Sequence, residues 1–194
     1  MIITGGEARG RRITIPEGLS VRPTASKIRQ ALFNILGARI KGAHFLDVFA
    51  GSGLMGIEAL SRGAAALVAI EENRKMTRAI QDSLDRLEYR ENARVMQGDF
   101  RSLFGHLPRR SFDIAFADPP YKSSFASSVV QSLAREELLK PDGILIVEHV
   151  KGYGFGELPG AMQLVDSRNY GQTGVSFFAP VSGDEAVKLD TDAG

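Results

Sequence analysis

Short apolar runs alternate with amphipathic stretches along most of the chain, and this rhythm is informative about architecture. From residue 44 onward, Phe45–Phe49, Leu67–Ile70, Arg94–Met96, Phe112–Ala117 and Ile144–Val147 read as strands. Between them, Leu54–Arg62 (closed by Gly63), a segment striped by Met76, Ile80, Leu84 and Leu87, and Ala126–Ala134 read as helices. Strand–helix alternation of this kind predicts a parallel sheet covered on both faces. Two further β segments, Met162–Val165 and Val175–Phe178, are separated by too few residues for a parallel crossover, so they should pair antiparallel at the sheet edge. The expected fold is α/β, a Rossmann-like doubly wound, seven-stranded sheet with a terminal antiparallel hairpin.

The first 41 residues follow a different pattern. Met1–Thr4 and Arg12–Ile15, separated by Gly5-Gly6 and Gly10, suggest a β-hairpin lying outside any buried layer. Thr24 then supplies an N-cap for a helix whose stripe of Ile28, Ala31, Leu32, Ile35 and Leu36 runs to Gly37, with Lys27 and Arg29 facing solvent. Three regions result: a basic extension (1–41), the main α/β domain (42–182) and an acidic tail (183–194) expected to be frayed.

The 194 residues, 43% hydrophobic, suffice for one full core. The absence of Cys excludes disulfides and thiolate metal sites, and three scattered His give no metal-ligand spacing. No apolar run approaches the roughly 20 residues that span a bilayer, and no signal-peptide core is present, so a cytoplasmic chain is expected. Net charge is only +1, but residues 1–41 hold eight basic side chains against two acids. A positive field concentrated at one end points to a polyanionic partner. Arg9, Arg11, Arg12, Arg22 and Lys27 are the candidate phosphate contacts; a solvated charged face is the competing reading.

Leu46-Asp47-Val48-Phe49-Ala50-Gly51-Ser52-Gly53 ends a strand and opens a helix, where glycines permit close backbone approach to a ligand. Gly51 to Gly56 also satisfies G-x-G-x-x-G, with Glu71 20 residues beyond Gly51, so the spelling alone does not separate a dinucleotide from S-adenosylmethionine. Asp47, placed within the strand, favours the latter, because a carboxylate there can meet an ammonium group. Glu71 can accept ribose hydroxyls with either ligand. Asp99 can take an adenine amino group while Phe100 covers the ring; Asp99 is equally well placed to cap a helix.

Asp118-Pro119-Pro120-Tyr121 decides the chemistry. An aromatic exocyclic amine is a poor nucleophile because its lone pair is delocalised into the ring. Two oxygen acceptors aimed at its N–H bonds return that pair toward an incoming methyl group. The Asp118 carboxylate and the Pro119 carbonyl can be those acceptors, consecutive prolines stiffen the loop, and Tyr121 offers a face for a flipped base. Alignment alone then supplies most of the acceleration, without metal.

With these motifs together, the chain resembles the bacterial small-subunit (16S) ribosomal RNA guanine-N2 methyltransferases, the RsmD-like family. The likeness rests on Ile3-Thr4-Gly5-Gly6, Arg9-Gly10-Arg11-Arg12, Arg22-Pro23-Thr24, Ala31-Leu32-Phe33-Asn34, Phe49-Ala50-Gly51-Ser52-Gly53, Glu58-Ala59-Leu60-Ser61-Arg62-Gly63 and the tetrad. It implies a class I S-adenosylmethionine-dependent methyltransferase acting as a monomer on ribosomal RNA or the small ribosomal subunit. The cofactor set implied is Asp47, Phe49, Ala50, Gly51, Ser52, Gly53, Glu71, Asp99, Phe100 and Asp118, with Asp118, Pro119, Pro120 and Tyr121 catalytic. Adenine-N6 methylation of DNA or RNA fits the same tetrad. A protein-glutamine methyltransferase leaves the basic end without a role, an NAD-linked oxidoreductase leaves the tetrad unexplained, and a non-catalytic RNA-binding protein uses the basic segment alone.

Overall fold

The computed structural model describes residues 1–16, 26–121 and 124–181. Thr24, Arg22 and the acidic tail 183–194 lie outside the described residues. The strands are β1 (His44–Val48), β2 (Ala66–Glu71), β3 (Ala93–Gln97), β4 (Phe112–Ala117), β5 (Leu139–Val150), β6 (Met162–Tyr170) and β7 (Thr173–Pro180). They form one seven-stranded sheet in the order β3-β2-β1-β4-β5-β7-β6. The first five are parallel; β7 runs antiparallel between β5 and β6. The predicted hairpin is therefore present, closed at Gly171-Gln172 with Gly171 at φ 65°.

Helices α1 (Ser26–Leu36), α2 (Leu54–Ser61), α3 (Arg74–Arg86), the one-turn α4 (Phe100–Leu103) and α5 (Phe125–Arg135) fill the connections. Two apolar clusters lie on opposite faces of the sheet. One joins Leu32 and Ile35 of α1, Ile57 of α2 and Ile80 and Leu84 of α3 to Phe45, Ile114 and Phe177 of the strands. The other packs Phe100, Phe104, Val129 and Leu133 on Leu46, Ala115 and Leu145. Strands covered on both faces have little room for polar side chains, which explains the near-continuous apolar spelling of β4.

Two details of the amino-terminal region differ from expectation. The hairpin reduces to a single antiparallel bridge, Ile2 to Arg12, and it is not peripheral: Ile3 and Ile13 are buried in the same core as α1. Arg29, expected in solvent, is 3% exposed; its Nε donates to Glu58 Oε2 at 2.8 Å and its Nη2 to the Ile2 carbonyl at 3.1 Å. The helical pattern could not reveal this, because the carboxylate that draws Arg29 inward is on α2, 29 residues away. In β5, Pro141-Asp142-Gly143 lies within a bulge, although its residues have turn chemistry: Leu139 pairs with Phe112 and Ile144 with Ile114, so the intervening residues bow out opposite Asp113.

Candidate active site

The strand order reverses direction of growth between β1 and β4, which are parallel neighbours. Val48 is level with Ala117 across that pair, so the chain leaves both strands side by side. Phe49-Ala50-Gly51 and Asp118-Pro119-Pro120-Tyr121 thus emerge together at the carboxyl ends of the strands, the crevice where open α/β sheets bind ligands.

A cleft of about 410 Å³ opens there, lined by both segments and by Ile70, Glu71, Glu72, Asn73, Met76, Gly98, Asp99, Phe100 and Phe125. Its volume suits a small-molecule ligand. Four acids line it, Glu71, Glu72, Asp99 and Asp118, and among the described lining residues there is no Lys or Arg. That charge opposes a pyrophosphate and favours a cationic ligand.

The walls are aromatic. Phe49 occupies the left-handed region at φ 60°, a costly conformation for a residue with a Cβ, and it directs its ring into the cleft. There it stacks on Phe125 at 5.7 Å between centroids and meets Phe100 edge-on at 5.2 Å. These rings give an apolar slot of the kind a purine fills.

The acids have distinct local duties. Glu71 accepts the Gly51 N–H through Oε2 and the Asn73 N–H through Oε1, both at 2.8 Å, which ties the glycine turn to the start of α3. Each oxygen keeps a further lone pair for a ligand hydroxyl. Asp99 accepts from the Arg101 N–H as the N-cap of α4 and pairs with the Arg101 guanidinium. That hydrogen-bonded partner holds its carboxyl below the ordinary aspartate value. Capping and cleft-lining are thus combined in one residue.

Of the other sequence candidates, Asp47, Ala50, Ser52 and Gly53 do not line the cleft. Asp47 is 1% exposed and its Oδ2 accepts the Gly56 N–H at 2.9 Å, satisfying an amide in the first turn of α2 that Gly53 cannot cap. Burial pushes its carboxyl up to about 7, against the pull of that hydrogen bond. Ser52 donates to the Met1 sulfur at 3.3 Å, and a Cβ on Gly53 would come within 2.9 Å of Ile80. These residues shape the turn from beneath. Arg9, Arg11, Arg12 and Lys27 are all exposed. Arg11 Nη2 donates to the Arg86 carbonyl at 3.1 Å, and Arg86 in turn donates to Thr14 Oγ1 and to the Arg12 carbonyl, which binds the basic hairpin to α3.

Sequence reasoning passes over Phe125, Met76 and Glu148. Glu148 is 2% exposed and accepts from the Tyr121 hydroxyl at 2.8 Å; its signal is a carboxylate inside the apolar run of β5. His149 is also buried in β5, with Nε2 at 2.8 Å from Ser176 Oγ. Burial lowers its pKa from the ordinary value.

The profile of the family described as "Conserved hypothetical protein 95" matches residues 1–179. The chain belongs to that family. It is 33% identical over 170 residues to ribosomal RNA small subunit methyltransferase D of Escherichia coli (strain K12), covering 88% of this chain and 85% of that protein. The Escherichia coli yhhF structure superposes with a TM-score of 0.81 at 31% identity, covering 93% of this chain and 97% of the other. SMU.776, solved in complex with SAH, superposes with a TM-score of 0.58 at 18% identity over 78% of this chain and 48% of its own, which shows the fold alone. Among the described residues no helix is long and apolar enough to cross a membrane, and no group of three or more His, Asp or Glu could hold a metal ion.

Proposed function

We propose that this protein transfers a methyl group from S-adenosylmethionine to the exocyclic N2 amine of a guanine in 16S ribosomal RNA, acting in the cytoplasm as a monomer. The observation that carries the reading is the emergence of the glycine turn and the Asp118-Pro119-Pro120-Tyr121 tetrad side by side around an acid-lined aromatic cleft. The name of the Escherichia coli relative supports the ribosomal substrate.

The residues present fit the cofactor. Phe49, Phe100 and Phe125 would enclose its adenine, Glu71 would accept ribose hydroxyls, and the acids of the cleft would complement its positive charge. When bound, S-adenosylmethionine supplies an electrophilic methyl group on a sulfonium. Asp118 and the Pro119 carbonyl accept the two N–H bonds of the amine, directing its lone pair away from the purine ring. Formation of the N–C bond would break the S–C bond to the methyl group and release S-adenosylhomocysteine, and the Asp118 carboxylate would take the proton that leaves the nitrogen. Tyr121 gives the base a face to lie against. The basic extension 1–41, through exposed Arg9, Arg11, Arg12 and Lys27 together with Arg22, grips RNA phosphates, and residues 42–182 form the methyltransferase domain.

The test is transfer of a radiolabelled methyl group from S-adenosylmethionine to small ribosomal subunits isolated from cells lacking the protein, followed by nucleoside digestion. Label in N2-methylguanosine, lost with Asp118→Ala, is expected. Label in N6-methyladenosine, or none, refutes the reading.

A further inference from the structure

Glu148 lies near the end of β5 in an otherwise apolar run, Ile144 to Val147, and its side chain is almost fully buried. A carboxylate placed there costs several kcal/mol by desolvation unless it is well partnered, so the fold has to hold it with specific hydrogen bonds. One comes from the tetrad: the Tyr121 hydroxyl donates to Glu148 Oε1 at 2.8 Å. With its proton committed there, the phenol oxygen can accept from Thr173 Oγ1, 2.9 Å away. Thr173 opens β7 and pairs with Val150, two residues along from Glu148. A carboxylate and a hydroxyl from adjacent antiparallel strands therefore converge on one phenol oxygen.

The tetrad is fixed at both ends by this arrangement. Pro119 and Pro120 restrict its backbone, and the two hydrogen bonds hold the far end of the Tyr121 ring. The niche behind the tetrad, which Pro119, Pro120, Tyr121 and Glu148 help to line, measures about 10 Å³. It has room for about one water and none for a nucleobase. Glu148 therefore works from behind the ring.

Resting on the methyltransferase reading above, we infer that Glu148, with Thr173, is a positioning residue: it sets the plane of the Tyr121 ring against which the target base is held, acting through the phenol hydroxyl and never touching substrate.

The test is steady-state methyl transfer to the same small subunits by Glu148→Ala, Glu148→Gln, Tyr121→Phe and the Glu148→Ala/Tyr121→Phe double variant. Calorimetric binding of S-adenosylhomocysteine serves as a check that each is folded. Loss of ring alignment should lower kcat about tenfold in Glu148→Ala, with cofactor affinity unchanged. Glu148→Gln, which keeps an oxygen acceptor, should recover most of that rate. Tyr121→Phe, which keeps the ring and deletes the donor, should match Glu148→Ala, and the double variant should be no slower than either. Multiplying losses in the double variant, or wild-type kcat in Tyr121→Phe, would overturn the inference; the latter holds even if Glu148→Ala fails to fold. Wild-type protein that labels no subunits would remove the underlying reading and this inference with it, whereas labelling that is indifferent to all four variants would remove this inference alone.

Discussion

Replacing Glu58 with Ala should produce the largest loss of stability of the changes considered. Glu58 is fully buried on α2 and accepts five hydrogen bonds: from the Thr4 N–H and hydroxyl (3.0 and 2.6 Å), from Arg29 Nε (2.8 Å) and from Arg62 Nε and Nη2 (3.0 and 2.8 Å). It thereby joins the amino-terminal segment, α1 and its own helix. Truncation would leave the Arg29 guanidinium buried at 3% exposure without a counter-ion. Removing one partner of a buried pair costs about 3–5 kcal/mol. At roughly 2–4 °C per kcal/mol for a chain of this size, Tm should fall on the order of 10 °C. Replacing both partners with apolar residues, Arg29→Met with Glu58→Leu, removes the orphaned charge and should recover a large part of that loss. The pH dependence carries a second signature. Burial raises the Glu58 carboxyl, but the Thr4 hydrogen bonds, Arg62 and Arg29 outweigh it and hold it below its ordinary value of 4.5. Its contribution is therefore complete above pH 4.5 and is lost as pH falls through the depressed value. Calorimetric scans from about pH 3 to 7 should show the gap between wild type and Glu58→Ala narrowing in acid. A Tm within about 2 °C of wild type at neutral pH would refute the buried-pair reasoning.

Three other outcomes are expected. Asp47→Asn keeps an acceptor for the Gly56 N–H and removes a carboxyl that burial raises to about 7. A group raised in the folded state stabilises below its unfolded value near 3.8 and loses that effect as pH rises to about 7; scanning calorimetry should find Tm of the variant less diminished between about pH 4 and 7 than wild type, and parallel curves would contradict this. Phe49→Gly should relieve the positive φ yet weaken S-adenosylhomocysteine binding at least several-fold in calorimetry, because the ring that meets Phe100 and Phe125 is gone; unchanged affinity would exclude the aromatic slot as the adenine site. Arg11→Ala with Arg12→Ala should reduce the slope of log RNA affinity against log salt by about 2, one for each phosphate no longer neutralised, and a slope unchanged in filter binding would move the RNA surface elsewhere.

The parts of this protein that are readable from its sequence are those in which local pattern and tertiary demand agree. β4 is legible to the residue because a strand buried on both faces is spelled as a nearly continuous apolar run, broken at Asp113 near its start. The edge strand β6 reads as Met162–Val165 and spans nine residues, since Asp166, Arg168 and Asn169 face a half-solvated surface and break the apolar signal. Pro141-Asp142-Gly143 has turn chemistry, but Lys140, paired with Asp113 at 2.8 Å, keeps the strand together around it. At the site, the convergence of Gly51 and the tetrad on one cleft is legible, because glycine turns and consecutive prolines leave a literal trace in the sequence. Arg29 and Asp47 are not, because their surroundings depend on partners supplied by other elements. A charge spelled in a helix or strand does not say whether it points to water, to a ligand or to a buried partner.

The most direct measurement is mass spectrometric mapping of modified nucleosides in 16S ribosomal RNA from cells lacking the protein, complemented with wild type or with Asp118→Ala. Disappearance of a single N2-methylguanosine, restored by wild type and not by Asp118→Ala, is the predicted result. A profile unchanged by deletion, or full restoration by Asp118→Ala, would contradict methyl transfer to guanine at the tetrad.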